Sequence, residues 1–387
     1  MAHGLIALAR QIRGMYRQLR AESRLLYSNW RFPSINEVSR RELQSVLRAR
    51  INTVNTPVRV ILFLPINNWE VDLKSAFESL AVVDMFQIPA VPFFLSVEEW
   101  AEFFLNVNRQ AVRFFEATYD PSRTNIVFCY ASDFNLSVDA VKTFKRPNTV
   151  VINFNWDDIL WFHGRCRGQP IGVRSIAPHF DLSLSFSPRA LAQYRRVGAR
   201  AIFWDSEGDG NTPCRAFNPT IARALFVGSC YGRRRELVAR IRKAGIPIDV
   251  FGSGWGTEYL PQEELPRYFA KYAVTVGLGT LADTWSLCGI KGRDFEVPLS
   301  GGLYLTNEHA ELSRCYEIGK EILTFKTFEQ CTHIIRDILD NPGRYTPIRC
   351  AGHKKAMEKH QWRSRVRFLL NLVMANEPTH TKGDRSL

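Results

Sequence analysis

Apolar and polar positions divide the chain into stretches of different period. Near the amino terminus Leu5, Leu8, Ile12, Met15 and Leu19 recur at helical spacing, while Arg10, Arg13, Arg17, Arg20 and Arg24 recur on another side. At about 100° per residue the two sets fall on nearly opposite faces, which predicts a basic amphipathic helix within a helical extension over residues 1–55. Such a helix can lie on an anionic membrane, or dock on its own protein with its arginines in water. From about residue 56 short apolar runs alternate with helical stretches, the signature of βαβ units and a parallel sheet. The runs 58–65 (VRVILFLP), 124–131 (TNIVFCYA), 148–158 (NTVVINFNWDD), 180–187 (FDLSLSFS) and 199–204 (ARAIFW) read as strands, and 97–119 reads as a helix.

Residues 205–220, rich in Gly, Asp, Asn and Pro, read as an exposed connector, and the same grammar restarts beyond it. Strands are predicted at 223–229, 246–251, 273–279, 301–307 and 320–325, with helices at 233–245, 261–272, 327–341 and 353–375. The reading is α/β: an acceptor-side Rossmann-like domain over 56–210 and a second over 211–387, facing a cleft, with any ligand at strand carboxyl ends.

At 387 residues the chain exceeds what one core usually organises, in keeping with two domains. The net charge of +13 asks for an anionic partner: nucleic acid, lipid or a phosphorylated substrate. Aromatic-interleaved basic motifs of RNA platforms are not evident, so nucleic acid is not expected. The eight cysteines stand singly, without a C-x-x-C pair, and read as free thiols. No run approaches the roughly 20 apolar residues of a membrane span, which favours a cytoplasmic protein, peripheral at the inner membrane face if the basic helix binds lipid. The sequence has no P-loop, nucleophile elbow or H-E-x-x-H motif, and GSGWG at 252–256 lacks the full dinucleotide fingerprint. His353 and His360 read as a solvated helix face rather than a metal site.

The stretch 291–306, KGRDFEVPLSGGLYLT, carries the most chemistry. Lys291 and Arg293 fall at a helix start, where free N–H groups and the positive dipole end already favour an anion, so the two cations suit a diphosphate. Glu296, one turn on, suits a ribose, and Gly301 and Gly302 would end the helix before a strand. The same stretch also reads as an ordinary helix start with surface charges.

These residues, with FVGSCYGRRRELVARIRKAGIPIDVFGSGW before them and NFNWDDILW upstream, resemble the spore-maturation-type glycosyltransferases of the GT-B fold over roughly residues 150–370. The core K-x-R-x-F-E-x-P-x-x-G-G is the specific element. The resemblance implies a second domain that binds a nucleotide-sugar, a first domain that binds the acceptor, and no metal or other cofactor. It matches Glu296 to the donor ribose and Lys291 and Arg293 to the diphosphate leaving group. It also implies donor contacts from Gly228, Arg233, Arg234, Gly252, Gly301, Gly302 and Asn307, with Glu308 at the pocket edge and Glu311 and Glu321 echoing family segments. Many retaining relatives carry a second glutamate at the position of Cys288, so retention versus inversion stays open. On the acceptor side Asp157 and Asp158 end a buried strand and could orient or deprotonate a hydroxyl, although Asp158 could instead cap the next helix; His163 and His179 are weaker candidates. No convincing Asp-x-Asp pair is present. The expected activity is metal-independent transfer of a sugar from a nucleoside-diphosphate-sugar to a glycan, lipid-linked or protein acceptor; the alternative is a non-catalytic basic module on anionic membrane or nucleic acid.

Overall fold

The computed structural model describes residues 2–31, 40–52, 57–65, 70–90, 96–166, 169–205, 208, 219–284 and 286–374. The chain forms two compact units, each built on its own parallel sheet. One comprises Ala21–Trp204 together with the chain from Arg365; the other comprises Met1–Arg20 with Asp205–Ser364. The division thus falls at Trp204/Asp205 rather than 210/211, and most of the expected connector lies outside the described residues. The ends also divide differently from the expected 1–55 and 211–387. The helix Ala2–Arg31 contributes to both units, and the last helix, Trp362–Met374, passes to the first-sheet unit, with Val366, Leu369, Leu372 and Val373 buried.

In the first-sheet unit the strands are β1 (Arg59–Pro65), β2 (Val82–Ile88), β3 (Asn125–Cys129), β4 (Thr149–Asn155), β7 (Leu182–Ser185) and β8 (Ala201–Phe203); β5 (Arg165–Cys166) and β6 (Gln169–Pro170) make a short antiparallel hairpin. The sheet order is β2-β1-β3-β4-β7-β8, all parallel. Strands β3 and β4 are buried throughout, which explains their unbroken apolar runs. The helix Val97–Thr118 starts at a capping box formed by Ser96 and Glu99.

The second sheet contains β9 (Ile221–Val227), β10 (Ile248–Phe251), β11 (Tyr272–Val276), β12 (Tyr304–Asn307) and β13 (Leu323–Phe325) in the order β10-β9-β11-β12-β13. Winding reverses between β9 and β11, and open sheets of this kind bind ligands outside strand carboxyl ends at such a switch point. The helix Arg234–Lys243 packs Leu237, Val238 and Ile241 into a core with Ala224, Phe226 and Val274. The single helix expected over 353–375 is two, Thr346–Lys359 and Trp362–Met374, interrupted at His360–Gln361. His360 is buried rather than solvated: Nδ1 lies 2.8 Å from the Asp205 carbonyl and Nε2 3.2 Å from that of Cys315. His353 meets the Pro298 carbonyl at 2.9 Å, so both histidines serve the fold.

Candidate functional site

The loops after β9 and β10 are zipped together. Gly228 N–H donates to Phe251 O at 2.9 Å, Cys230 N–H to Ser253 O at 2.8 Å, and Trp255 Nε1–H to Gly228 O at 2.7 Å. Gly252 has φ +128°, and a Cβ there would stand 2.5 Å from Gly228 O, so the two glycines serve this close backbone approach. Arg234 folds back over the Tyr231 ring at 4.1 Å and donates to Ser229 O at 3.2 Å. Arg233 points the other way, over Phe328 at 4.6 Å.

Arg233 thereby enters a pocket of about 390 Å³ at the carboxyl ends of β11, β12 and β13. Arg240 and Lys326 supply further cations, and Thr280, Cys288 and Asn307 supply polar walls. Asn307 is held from both sides: Oδ1 accepts Gly279 N–H at 2.6 Å and Nδ2 donates to Cys288 Sγ at 3.1 Å. Each cation has a carboxylate neighbour: Arg233–Glu236 at 3.4 Å, Arg240–Glu329 at 2.7 Å and Lys326–Glu308 at 3.6 Å. The Arg240 and Lys326 pairs are exposed, and such pairs contribute only about 0–1 kcal/mol, so an anion could take these cations over.

No residue of the stretch 291–302 is among those that line this pocket. The helix Arg293–Leu299 begins with Lys291 N–H donating to Asp294 Oδ2 at 2.8 Å. Burial raises the Asp294 carboxyl's pKa, with His309 acting against it. Arg293 and Glu296 were expected on diphosphate and ribose respectively; here they form an ion pair with each other, because i,i+3 spacing places them on one helix face. The other Glu296 oxygen accepts from Gln262 Nε2 at 3.1 Å, and Arg293 also faces the Phe269 ring at 5.5 Å. Gly301 (φ +72°) and Gly302 close the helix, their N–H groups returning to Pro298 O and Val297 O at 2.9 Å. They precede β12, at its amino end, so they build the turn and not the ligand-facing edge of the sheet. Glu321 accepts Glu317 N–H at 2.7 Å within its own turn.

One residue outside the expected set belongs with this region. His309, just beyond β12, is buried with Nδ1 3.3 Å from Glu311 Oε2, while its Nε2 has no hydrogen-bond partner among the described residues. A Cβ on Gly279 would come within 3.2 Å of that nitrogen. The signal was present in the sequence as the His of Asn-Glu-His-Ala-Glu following an apolar run.

In the other unit Asp157 and Asp158 follow β4. Asp157 takes φ +50°, a left-handed conformation uncommon outside glycine, and makes no side-chain cap for the helix Asp158–Trp161. Asp158 does not cap it either: its side chain turns inward, Oδ2 accepts from Tyr194 Oη–H at 2.8 Å, and Oδ1 has no partner among the described residues. Burial pushes its pKa up to about 7. Trp156 stacks on Phe186 with ring centroids 3.6 Å apart, so the residues on both sides of Asp157 are anchored. His163 packs edge-on against Phe162 at 5.1 Å, and burial lowers the pKa of His179. Among the described residues no three His, Cys, Asp or Glu side chains are grouped to hold a metal ion, and no helix is long and apolar enough to cross a membrane.

No curated protein sequence matches the chain. A family described as "Glycosyl transferase-like" matches residues 233–371, which contain the pocket and the 291–302 stretch. Among solved structures, HepE of Anabaena in complex with UDP and glucose is similar at a TM-score of 0.52 and 12% identity, over 80% of this chain and 99% of that one. The sucrose-phosphate synthase of Thermosynechococcus elongatus is similar at 0.59 and 12%, over 81% and 98%. The chain has the GT-B fold, and its residues 233–371 match a glycosyltransferase-like family. Both sheets of this GT-B protein fall within the expected α/β class, and its family match lies in the unit with the β9–β13 sheet up to Ser364 and continues into the last helix. At these identities the structural likeness speaks to the fold.

Proposed function

We propose that the protein transfers a sugar from a nucleoside-diphosphate-sugar to a glycan, lipid-linked or protein acceptor without a divalent metal. The observation that carries this is the pocket at the ends of β11–β13, where Arg233, Arg240 and Lys326 converge inside the segment that matches the family. A diphosphate gains negative charge as the glycosidic bond to it breaks, so preplaced cations lower the barrier. Lys291 and Arg293 add positive charge in the same unit, with Glu296 for the ribose once its pair with Arg293 opens. Asp157, in the other unit, is the acceptor-side candidate, to orient or deprotonate the acceptor hydroxyl. HepE's complexes with UDP and with UDP-glucose make a uridine donor the first to try. Contact of the basic first helix with an anionic membrane belongs to the same reading.

The test is melting temperature against a panel of nucleoside diphosphates, since a ligand that binds only the native state stabilises it by mass action. The proposal expects one base to stand out and Arg233→Ala to abolish its effect. A protein unmoved by every nucleotide, yet held by anionic vesicles, would favour the non-catalytic basic module.

A further inference from the structure

The arginine-rich side of the first helix suggested how it would meet a membrane; burial in the structure points to a different side. The helix is fastened to its own protein through a side made mostly of small and polar positions. Gly14 rides so close to the Asp283 carbonyl that a Cβ would stand 1.9 Å from it. Gln18 exchanges two hydrogen bonds with Ser286, Nε2–H to Oγ at 2.6 Å and Ser286 N–H to Oε1 at 2.9 Å. Further along, Ala21, Leu25 and Ser28 are buried. These positions fall on one side of the helix at about 100° per residue.

The apolar stripe is therefore left outside. Met15 is 56% exposed, Ile12 59%, Leu19 63%, Leu26 72% and Trp30 74%, with Tyr16 and Tyr27 beside them. At helical spacing the six at positions 12, 15, 16, 19, 26 and 30 fall within an arc of about 100°, a continuous ridge. A docked helix that leaves its main apolar stripe in water departs from the usual amphipathic arrangement. Residues 2–31 contain six arginines against one acid, Glu22, and Arg13, Arg17, Arg20 and Arg24 run along one flank of the ridge.

We infer that the ridge Ile12–Met15–Tyr16–Leu19–Leu26–Trp30 inserts into the interface of an anionic lipid bilayer, with the arginine flank at the headgroups. The charge selects this occupant: the flank attracts an anionic surface, whereas a second copy would bring a surface of the same sign against it. The inference deepens the membrane contact proposed above, and its test needs no sugar transfer.

The test is co-sedimentation of the full-length protein with phosphatidylcholine vesicles, with and without phosphatidylserine. The variant Ile12→Ser/Leu19→Ser/Leu26→Ser should lose partitioning about tenfold or more on both, because the apolar area that enters the interface is removed. Arg13→Gln/Arg20→Gln should lose only the part that depends on phosphatidylserine and falls with salt. Trp30 fluorescence should be quenched by acyl-brominated lipid, a signal absent from Trp30→Phe, and this reading does not depend on how the triple variant folds. Vesicle binding by the triple variant within twofold of wild type, or no quenching at Trp30, overturns the inference. So does a concentration-dependent dimer that the triple variant loses. A nucleotide-induced rise in melting temperature, measured on the same triple variant, separates failure here from failure of the sugar-transfer proposal.

Discussion

Replacing Asp158 by Asn should change how stability depends on pH, and the size of the change can be worked from its surroundings. The carboxyl accepts a hydrogen bond from Tyr194, and burial pushes its pKa from the ordinary 3.8 up to about 7. In the unfolded chain it ionises at the ordinary value, so between about pH 4 and pH 7 the native state holds a proton that the unfolded state has released. Stability then falls as pH rises across this window and levels off above it, the opposite of a carboxylate held in an ion pair. The shift is about three units, and at about 1.4 kcal/mol per unit the loss approaches about 4 kcal/mol. Asn cannot ionise but can still accept from Tyr194. Urea unfolding of both proteins at intervals from pH 4 to pH 8 should show the variant gaining on wild type by a few kcal/mol, with the gain complete near pH 7. Taking the difference cancels the other titrating groups. A difference that stays flat, or that moves in favour of wild type with rising pH, would mean that Asp158 is ionised in the folded protein.

Other expectations concern the second unit. Arg233→Ala should cost about 2–4 kcal/mol of transition-state stabilisation, read as a fall in kcat/KM with any active donor; near wild-type turnover would remove Arg233 from the site. Glu296→Gln should raise donor KM more than it lowers kcat, since a ribose contact exists in ground and transition states alike, and unchanged nucleotide affinity would end the ribose role. Gly252→Ala puts a Cβ 2.5 Å from Gly228 O at φ +128° and should lower stability by about 1–3 kcal/mol in thermal unfolding. Donor hydrolysis should survive excess EDTA; activity lost on chelation and restored only by manganese or magnesium would refute metal independence.

The fold was legible where apolar runs were long and unbroken. Strands β3 and β4 are buried at every position and were read directly. β2 was not: it is an edge strand, half exposed along most of its length, and Asp84 and Gln87 break its apolar pattern. The single closing helix became two because His360, polar and indifferent to the helical period, is pulled inward by two carbonyls that only the tertiary structure supplies. Spacing placed Arg293 and Glu296 on one helix face but said nothing of whether they would face a ligand or each other. Asp158 was legible as a residue at a strand end and not as a buried acid, since its partner Tyr194 lies 36 positions away. The exposed ridge of the first helix was hidden for a related reason. The sequence pattern showed an apolar side and a basic side, whereas the protein holds the helix by a third, marked by Gly14, Gln18, Ala21 and Ser28.

If the proposed donor binds in the second unit, its cations must exchange partners. The cations proposed for the diphosphate, Arg233, Arg240, Lys326 and Arg293, each have a glutamate beside them: Glu236, Glu329, Glu308 and Glu296. The Arg240 and Lys326 pairs are exposed, where water makes their opening cheap, and Arg233–Glu236 is half-buried. The fourth is different, because the Glu296 side chain is only 10% exposed and keeps Gln262 on its second oxygen. Removing Arg293 alone would leave that carboxylate short of a cation in a poorly solvated place, so part of any loss in Arg293→Ala would come from Glu296 and not from the missing diphosphate contact. The double variant Arg293→Ala/Glu296→Gln removes both charges. If its stability recovers relative to Arg293→Ala while donor turnover does not, the pair is a structural ion pair without donor and Arg293 contacts the donor only after leaving it. If turnover recovers as well, Arg293 serves only to hold Glu296, and the diphosphate belongs to Arg233, Arg240 and Lys326.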